Sequence, residues 1–244
     1  MSTELLTLLI AGIFVVAVLY SAVGHAGASG YIAVMSLLSL APTVIRPTAL
    51  ALNILVSIIA TWQFTRAGHF SFQRWWPFAL LAVPFAFIGG AVSLPNAGFK
   101  LMLGAVLLYS AARLLMQAKA DREVTTPPLA AALGIGALIG LLSGLTGTGG
   151  GIFLTPLLLF MGWARPKQAA ALSAAFILVN SVAGLLGNFA STKALPDFIV
   201  PLLVAAGLGG ALGSYLGSRK FEATGIKRFL AAVLCIAGFK LLLT

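Results

Sequence analysis

The chain says the same thing twice. Ser21-Ala-Val-Gly-His-Ala-Gly-Ala-Ser-Gly30 lies within an apolar stretch and returns as Ser143-Gly-Leu-Thr-Gly-Thr-Gly-Gly-Gly151. Each copy is followed by an apolar run, an Arg-Pro pair (Arg46-Pro47, Arg165-Pro166) and an Ala/Leu-rich segment. Further on, Gly89-Gly90-Ala91 matches Gly209-Gly210-Ala211, and Phe99 to Leu115 lies over Ile226 to Leu242. A duplication with a glycine-rich break at the same place in each apolar half leaves few architectures open. In membrane proteins such paired breaks are the best sequence-level pointer to a binding site.

Composition fixes the solvent. The residues are 60% hydrophobic and only 8% charged, and the mean hydropathy is +1.07, which describes a polytopic helical membrane protein. The net charge of +10 does not point to nucleic acid, because the basic residues form no patch or stripe. They sit in short loops and at helix ends, where topology determinants belong. Cys235, the single cysteine, excludes an internal disulfide and reads as an inert thiol in apolar surroundings. Met1-Ser-Thr-Glu has no basic run, so Leu5–Val23 reads as a retained membrane segment rather than a cleaved signal.

Apolar segments are expected at Leu5–Val23, Tyr31–Leu40, Thr48–Thr65, Trp76–Leu94 and Phe99–Ala118. In the second half they fall at Leu129–Leu142, Ile152–Trp163, Gln168–Phe189, Phe198–Leu216 and Ile226–Leu243. Tyr31–Leu40, Leu129–Leu142 and Ile152–Trp163 fall short of the roughly 20 residues that span a bilayer. Each break therefore joins two pieces of one interrupted helix or of a hairpin. The positive-inside rule favours hairpins. With hairpins, Arg66, Arg74, Arg113, Lys119, Arg122, Arg165, Lys167, Arg219, Lys220, Lys227 and Arg228 share one side, and only Arg46, Lys100, Lys193 and Lys240 lie on the other. The expected architecture is an all-α, multi-pass protein of the cytoplasmic (inner) membrane with both termini extracytoplasmic. It is an inverted-topology duplication, each half a glycine-broken helical hairpin plus three transmembrane helices. Residues 1–118 form the first repeat, 119–128 a cytoplasmic linker and 129–244 the second repeat. Trp62, Trp75, Trp76 and Trp163 lie near the expected cytoplasmic ends as interfacial anchors.

Non-helical backbone survives at membrane depth only when it is buried in protein or lines a wet cavity. Past each break a helix begins, and its first N–H groups carry the positive end of a dipole. Two such ends near the midplane make a site for a small anion without a fixed cation. The alternative is that these glycines only allow close helix packing. The site expected from the breaks comprises Gly24, His25, Gly27, Ser29 and Gly30 with Gly147, Thr148, Gly149, Gly150 and Gly151. Asn53 and Ser57, four apart on one helix face, and Asn180 and Ser181 complete its shell; interhelical hydrogen bonding is the competing role for such residues. All five acidic residues lie at ends or in loops, which leaves no intramembrane carboxylate for cation binding. His25 is the one titratable group expected at break depth, suited either to proton handling or to a hydrogen-bonded turn. No metal ligand set, cofactor or catalytic group is expected. The partners are a small anion and the lipid bilayer, with no nucleic acid, and a homo-oligomer is compatible with the sequence.

The glycine-rich break near the start of each half, the Arg-Pro and Ala/Ser-rich segment after it, and the duplicated layout together resemble the TauE/SafE sulfite exporter family over nearly the whole chain. Gly147-Thr-Gly-Gly-Gly151 followed by Pro156 is similar to the family's glycine-rich motif, while Gly27-Ala-Ser-Gly30 holds two glycines and Met35 stands where proline is expected. The resemblance implies transport of sulfite, thiosulfate or a sulfonate by alternating access; spacing and composition imply only a small anion. A passive anion channel would use the same helix ends. An intramembrane serine protease, suggested by Gly27-Ala-Ser29-Gly30 with His25 close by, lacks the base it needs, because the later histidine, His69, falls in the Arg66–Arg74 loop at the expected cytoplasmic surface.

Overall fold

Long apolar helices and two short ones, Ala28–Leu37 and Gly151–Phe160, account for the architecture among the described residues. The computed structural model describes residues 3–22, 24–92, 96–115, 124–191 and 195–219, together with Cys235, Phe239 and Leu242. The described helices are α1 (Thr3–Ala22), α2 (Ala28–Leu37), α3 (Pro42–Arg66), α4 (Phe72–Ala91), α5 (Asn96–Leu115), α6 (Leu129–Thr146), α7 (Gly151–Phe160), α8 (Pro166–Ser191) and α9 (Ile199–Arg219). There is no strand among the described residues. Six helices are long and apolar enough to cross a membrane: Thr3–Ala22, Thr43–Arg66, Phe72–Ala91, Leu129–Thr146, Pro166–Phe189 and Ile199–Ser218. Of the expected tenth segment, Ile226–Leu243, only Cys235, Phe239 and Leu242 are described, all helical. Residues 119–123 of the expected linker also lie outside the described residues.

Several boundaries differ from those expected, among them α4, which begins at Phe72 rather than Trp76. The α6 helix runs to Thr146, because Gly144 packs on the α4 backbone and is tolerated inside the helix for that close approach. At the start of α3, Pro42 occupies the first helical position and Pro47 lies inside the helix; Pro166 opens α8. The true counterpart of Pro166 is therefore Pro42, and the Arg-Pro pairs occupy different places. The same holds for the paired glycines, since Gly89-Gly90 lie at the end of α4 and Gly209-Gly210 in the middle of α9.

Both breaks turn the chain back on itself. Gly12 abuts Val34, and Gly30 abuts Val16 and Tyr20, so α2 descends antiparallel along α1. In the second half the Thr125 N–H donates to the Gly162 carbonyl (2.9 Å). That bond brings the start of α6 and the end of α7 to the same linker.

Close glycine contacts then join the halves. Gly136, Gly140 and Gly144 of α6 lie on the Phe78, Ala82 and Ala86 carbonyls of α4. Gly209, Gly213 and Gly217 of α9 lie on the Phe14, Val18 and Ala22 carbonyls of α1. Residue numbers rise together in both pairs, so each pair is parallel. Where no hydrophobic effect drives helices together, such small-residue seams let backbones approach and supply dispersion contacts. Between these pairs α3 and α8 cross the middle antiparallel: Leu50 and Ala51 pack with Leu185, and Ala60 and Phe64 with Ala170, Ala171 and Ala174.

The basic end is equally well defined. His69, in the turn after α3, sits within reach of the Lys167 charge at the start of α8; partial burial and that charge hold its pKa below the usual histidine value. Lys167 in turn donates to the Ser218 carbonyl at the end of α9 (3.3 Å). Trp62 is exposed with the Arg66 guanidinium 4.3 Å above its ring. Trp163 departs from the anchor role: it is buried against Phe78, with ring centroids 6.2 Å apart.

Candidate functional site

The two breaks share one backbone plan. In the first, Gly24 (φ 82°) stops α1 and Gly27 (φ 106°) precedes α2. In the second, Gly147 (φ 80°) stops α6 and Gly150 (φ 81°) precedes α7. All four sit in the left-handed region that glycine enters without steric cost. Two residues separate each pair, so His25 and Ala26 correspond to Thr148 and Gly149. No side chain caps α2 or α7, and both helices begin on buried residues.

The side chains around the breaks differ. At the first, Ser29 Oγ donates to the Tyr20 hydroxyl (3.1 Å), and the Tyr31 hydroxyl donates to the Ala26 carbonyl (2.7 Å). His25 is buried, its N–H donates to the Tyr20 carbonyl (2.9 Å), and its ring stands edge-on to Tyr20 at 6.5 Å. The rings of Tyr31 and Tyr20 cover Gly27 and Gly30, and Gly24 abuts Ala170 of α8.

At the second break, Gly147 abuts the stem and backbone of Arg46. The Thr146 and Thr148 hydroxyls lie 2.8 Å apart, and Thr146 donates to the Leu142 carbonyl (2.7 Å). A Cβ placed on Gly149, whose φ is 73°, would lie 2.6 Å from Asn53 Nδ2, 2.8 Å from Ile177 and 3.0 Å from Ser181 Oγ. Gly150 faces Ile139, Phe176 and Ser143, and Gly151 faces Ile177.

Asn53 Nδ2 makes one long hydrogen bond to Ser181 Oγ (3.4 Å), and Asn53 Oδ1 has no partner. The Ser143 hydroxyl, fully buried, has none either. Buried amide and hydroxyl groups left unsatisfied cost about 1–3 kcal/mol each. Asn180 is fully buried with both amide atoms unpartnered, while Ser57 turns back to the Ile54 carbonyl of its own helix (3.2 Å). The structure thus brings Asn53 and Ser181 onto the second break and places Asn180 and Ser57 elsewhere along α8 and α3. Nor do the breaks share an anchor: Ala170 and Arg46 lie near the starts of two antiparallel helices, at opposite ends of the pair.

Sequence reasoning set Arg46 outside the membrane segment, yet it is buried one turn inside α3. Its guanidinium donates to the carbonyls of Val92 (2.9 Å), Gly89 (2.6 Å) and Gly90, closing the C-terminal end of α4. Its Nε has no partner. Pro42, four residues upstream, was the available signal, since proline favours the first helical turn.

Long apolar helices interrupted by paired, uncapped turns with buried polar groups at both define a polytopic membrane transport protein. The chain belongs to the family described as sulfite exporter TauE/SafE, whose model matches residues 8–241. It is 46% identical over 247 residues to the "Probable membrane transporter protein y4hK" of Sinorhizobium fredii (strain NBRC 101917 / NGR234), covering 99% of this chain and 100% of that one. It is 29% identical over 110 residues to the "Probable membrane transporter protein YunE" of Bacillus subtilis (strain 168), covering 45% of this chain and 40% of that one. No solved structure matches the chain.

Proposed function

We propose that the protein is an alternating-access carrier that moves a small sulfur-containing anion (sulfite, thiosulfate or a sulfonate) across the cytoplasmic membrane. The observation that carries this reading is the surroundings of Gly149: an amide N–H, a serine hydroxyl and the uncapped start of α7 meet at one buried turn. Such a turn offers an oxyanion hydrogen bonds and a favourable dipole without a counter-cation. Around that turn Gly147, Thr148, Gly149, Gly150 and Gly151 line the pathway with Asn53 and Ser181. The two described acids, Glu4 and Asp197, are exposed, in keeping with an anionic cargo.

In this reading the halves are inverted repeats. Two features support it: the α4–α6 and α1–α9 seams are the same contact with the halves exchanged, and the hairpins gather Arg66, Arg74, Arg165 and Lys167 on one side. Rocking of one half against the other exposes the site alternately to the two sides.

The test is uptake of labelled sulfite and thiosulfate into liposomes containing purified protein. Wild type should give saturable flux. Gly149→Val should abolish it while the protein still inserts, because the side chain would enter a left-handed backbone and displace Asn53, Ile177 and Ser181. Full flux in the valine variant would overturn the assignment of the site.

A further inference from the structure

Equivalent positions of the two breaks carry different chemistry. Gly147 rests on Arg46, a buried cation, where Gly24 rests on Ala170. Gly149 faces the amide of Asn53 and the hydroxyl of Ser181; Ala26, its counterpart, has its carbonyl engaged by Tyr31 and belongs to an apolar cluster with Tyr20, Ile32 and Ile177. The Ser29 and Tyr31 hydroxyls at the first break are spent on each other's surroundings. Ser21 Oγ there is likewise without a partner, and the His25 side chain is buried close by.

We propose that the anion is held by the second break alone, between Gly149, Asn53, Ser181 and Ser143 beneath the charge of Arg46, and that the first break is a sealed counterpart pinned by Tyr20 and Tyr31. The proposal rests on the carrier reading for its cargo, a monovalent or divalent oxyanion, but not for its location. The start of α7 supplies N–H groups. Asn53 Nδ2 carries two hydrogens, of which the long bond to Ser181 uses one. Ser143, whose Cβ lies beside Gly150, adds a fully buried and unpartnered hydroxyl to the same turn. Arg46 is the buried cation among the described residues, and its partners are neutral carbonyls. Among the described residues no carboxylate pairs with it, so its field reaches the break through a medium of low dielectric constant. One copy of the chain then binds one anion, and the duplication supplies motion rather than a second site.

The experiment compares single cysteines in a Cys235→Ser background, using the full chain in liposomes. Ser181→Cys and Ser143→Cys probe the second break, and Ala26→Cys probes the first. The probe is 2-sulfonatoethyl methanethiosulfonate, a small sulfonate that reacts with thiolates. Ser181→Cys or Ser143→Cys should label at least about tenfold faster than Ala26→Cys, because an anion reaches that recess and because a helix start and a nearby guanidinium favour the thiolate. Comparable labelling at Ala26→Cys, or no labelling of either second-break cysteine in monodisperse protein, would overturn the one-sided site. Sulfite or thiosulfate should slow labelling at the second break. If labelling is one-sided but no sulfur anion slows it, the recess stands as assigned and the proposed cargo fails.

Discussion

Arg46 does two things at once. Its guanidinium satisfies three carbonyls at the end of α4 while its stem forms the floor under Gly147. Hydrogen bonds from a charged donor are each worth about 1.5–3 kcal/mol, and a lysine ammonium cannot reproduce the planar fork that reaches all three. Arg46→Lys should lower the thermal midpoint of the purified protein and weaken anion binding several-fold, read by a sulfite titration of that midpoint. An unchanged midpoint would mean that the carbonyls find other donors. The sequence shows the arginine but not its place. The repeated Arg-Pro dipeptide invited an alignment with Arg165, which is exposed before α8. The helices instead align on the prolines that open them, Pro42 and Pro166, and a dipeptide match carries no information about which turn of a helix it occupies. The glycines of the breaks were legible because a left-handed backbone needs them, and the polar shell was legible in part. Asn53 and Ser181 could be named from their cost in hydrocarbon, but which residues meet a given turn depends on how α3 crosses α8, and that is a tertiary fact.

The helices hold together along glycine seams rather than by polar bonds. Gly136, Gly140 and Gly144, spaced by four, make one ridge-free face, and Gly209, Gly213 and Gly217 make another. Replacing Gly140 with leucine would drive a side chain into the Ala82 backbone carbonyl. Overpacking of this kind costs about 1–3 kcal/mol, so Gly140→Leu should reduce the midpoint and the yield of monodisperse protein while Gly134→Leu, at a position with open space, should not. Equal behaviour of the two variants would remove the seam as a source of stability. The spacing is plain in the sequence, yet its partner is not. A chain with 27 glycines offers many candidate faces, and only the fold shows that Gly136, Gly140 and Gly144 meet α4, with Gly89 of α4 returning the contact on the Leu141 carbonyl, and that Gly209, Gly213 and Gly217 meet α1. Most helix starts and stops were legible to within about a turn, although α3 begins at Pro42 rather than at the expected Thr48. The end of α6 was missed because Gly144 reads as a breaker and serves as a contact.

At the scale of the whole molecule, the hairpin reading fixes the sides of the membrane. Two chain reversals that return to their own side leave α3, α4 and α5 to carry the first half across, and the basic residues near His69, Lys167 and Arg219 fall together. The proposed orientation makes both termini extracytoplasmic. Alkaline phosphatase fused after Thr244 should therefore be active in cells and green fluorescent protein at the same place dark; the opposite pattern would reverse the orientation. The seams have a further consequence, for the order of assembly. The α1 helix enters the bilayer first, but the α9 helix that lies along it is made almost at the end of the chain, roughly ten seconds or more later at synthesis rates of about 5–20 residues per second. Through that interval α1 must wait in lipid with its seam toward α9 unfilled, while α4 finds α6 soon after it is made. A nascent chain stalled before Ile199 should hold the α4–α6 pair and leave α1 open to whatever insertase or lipid is beside it.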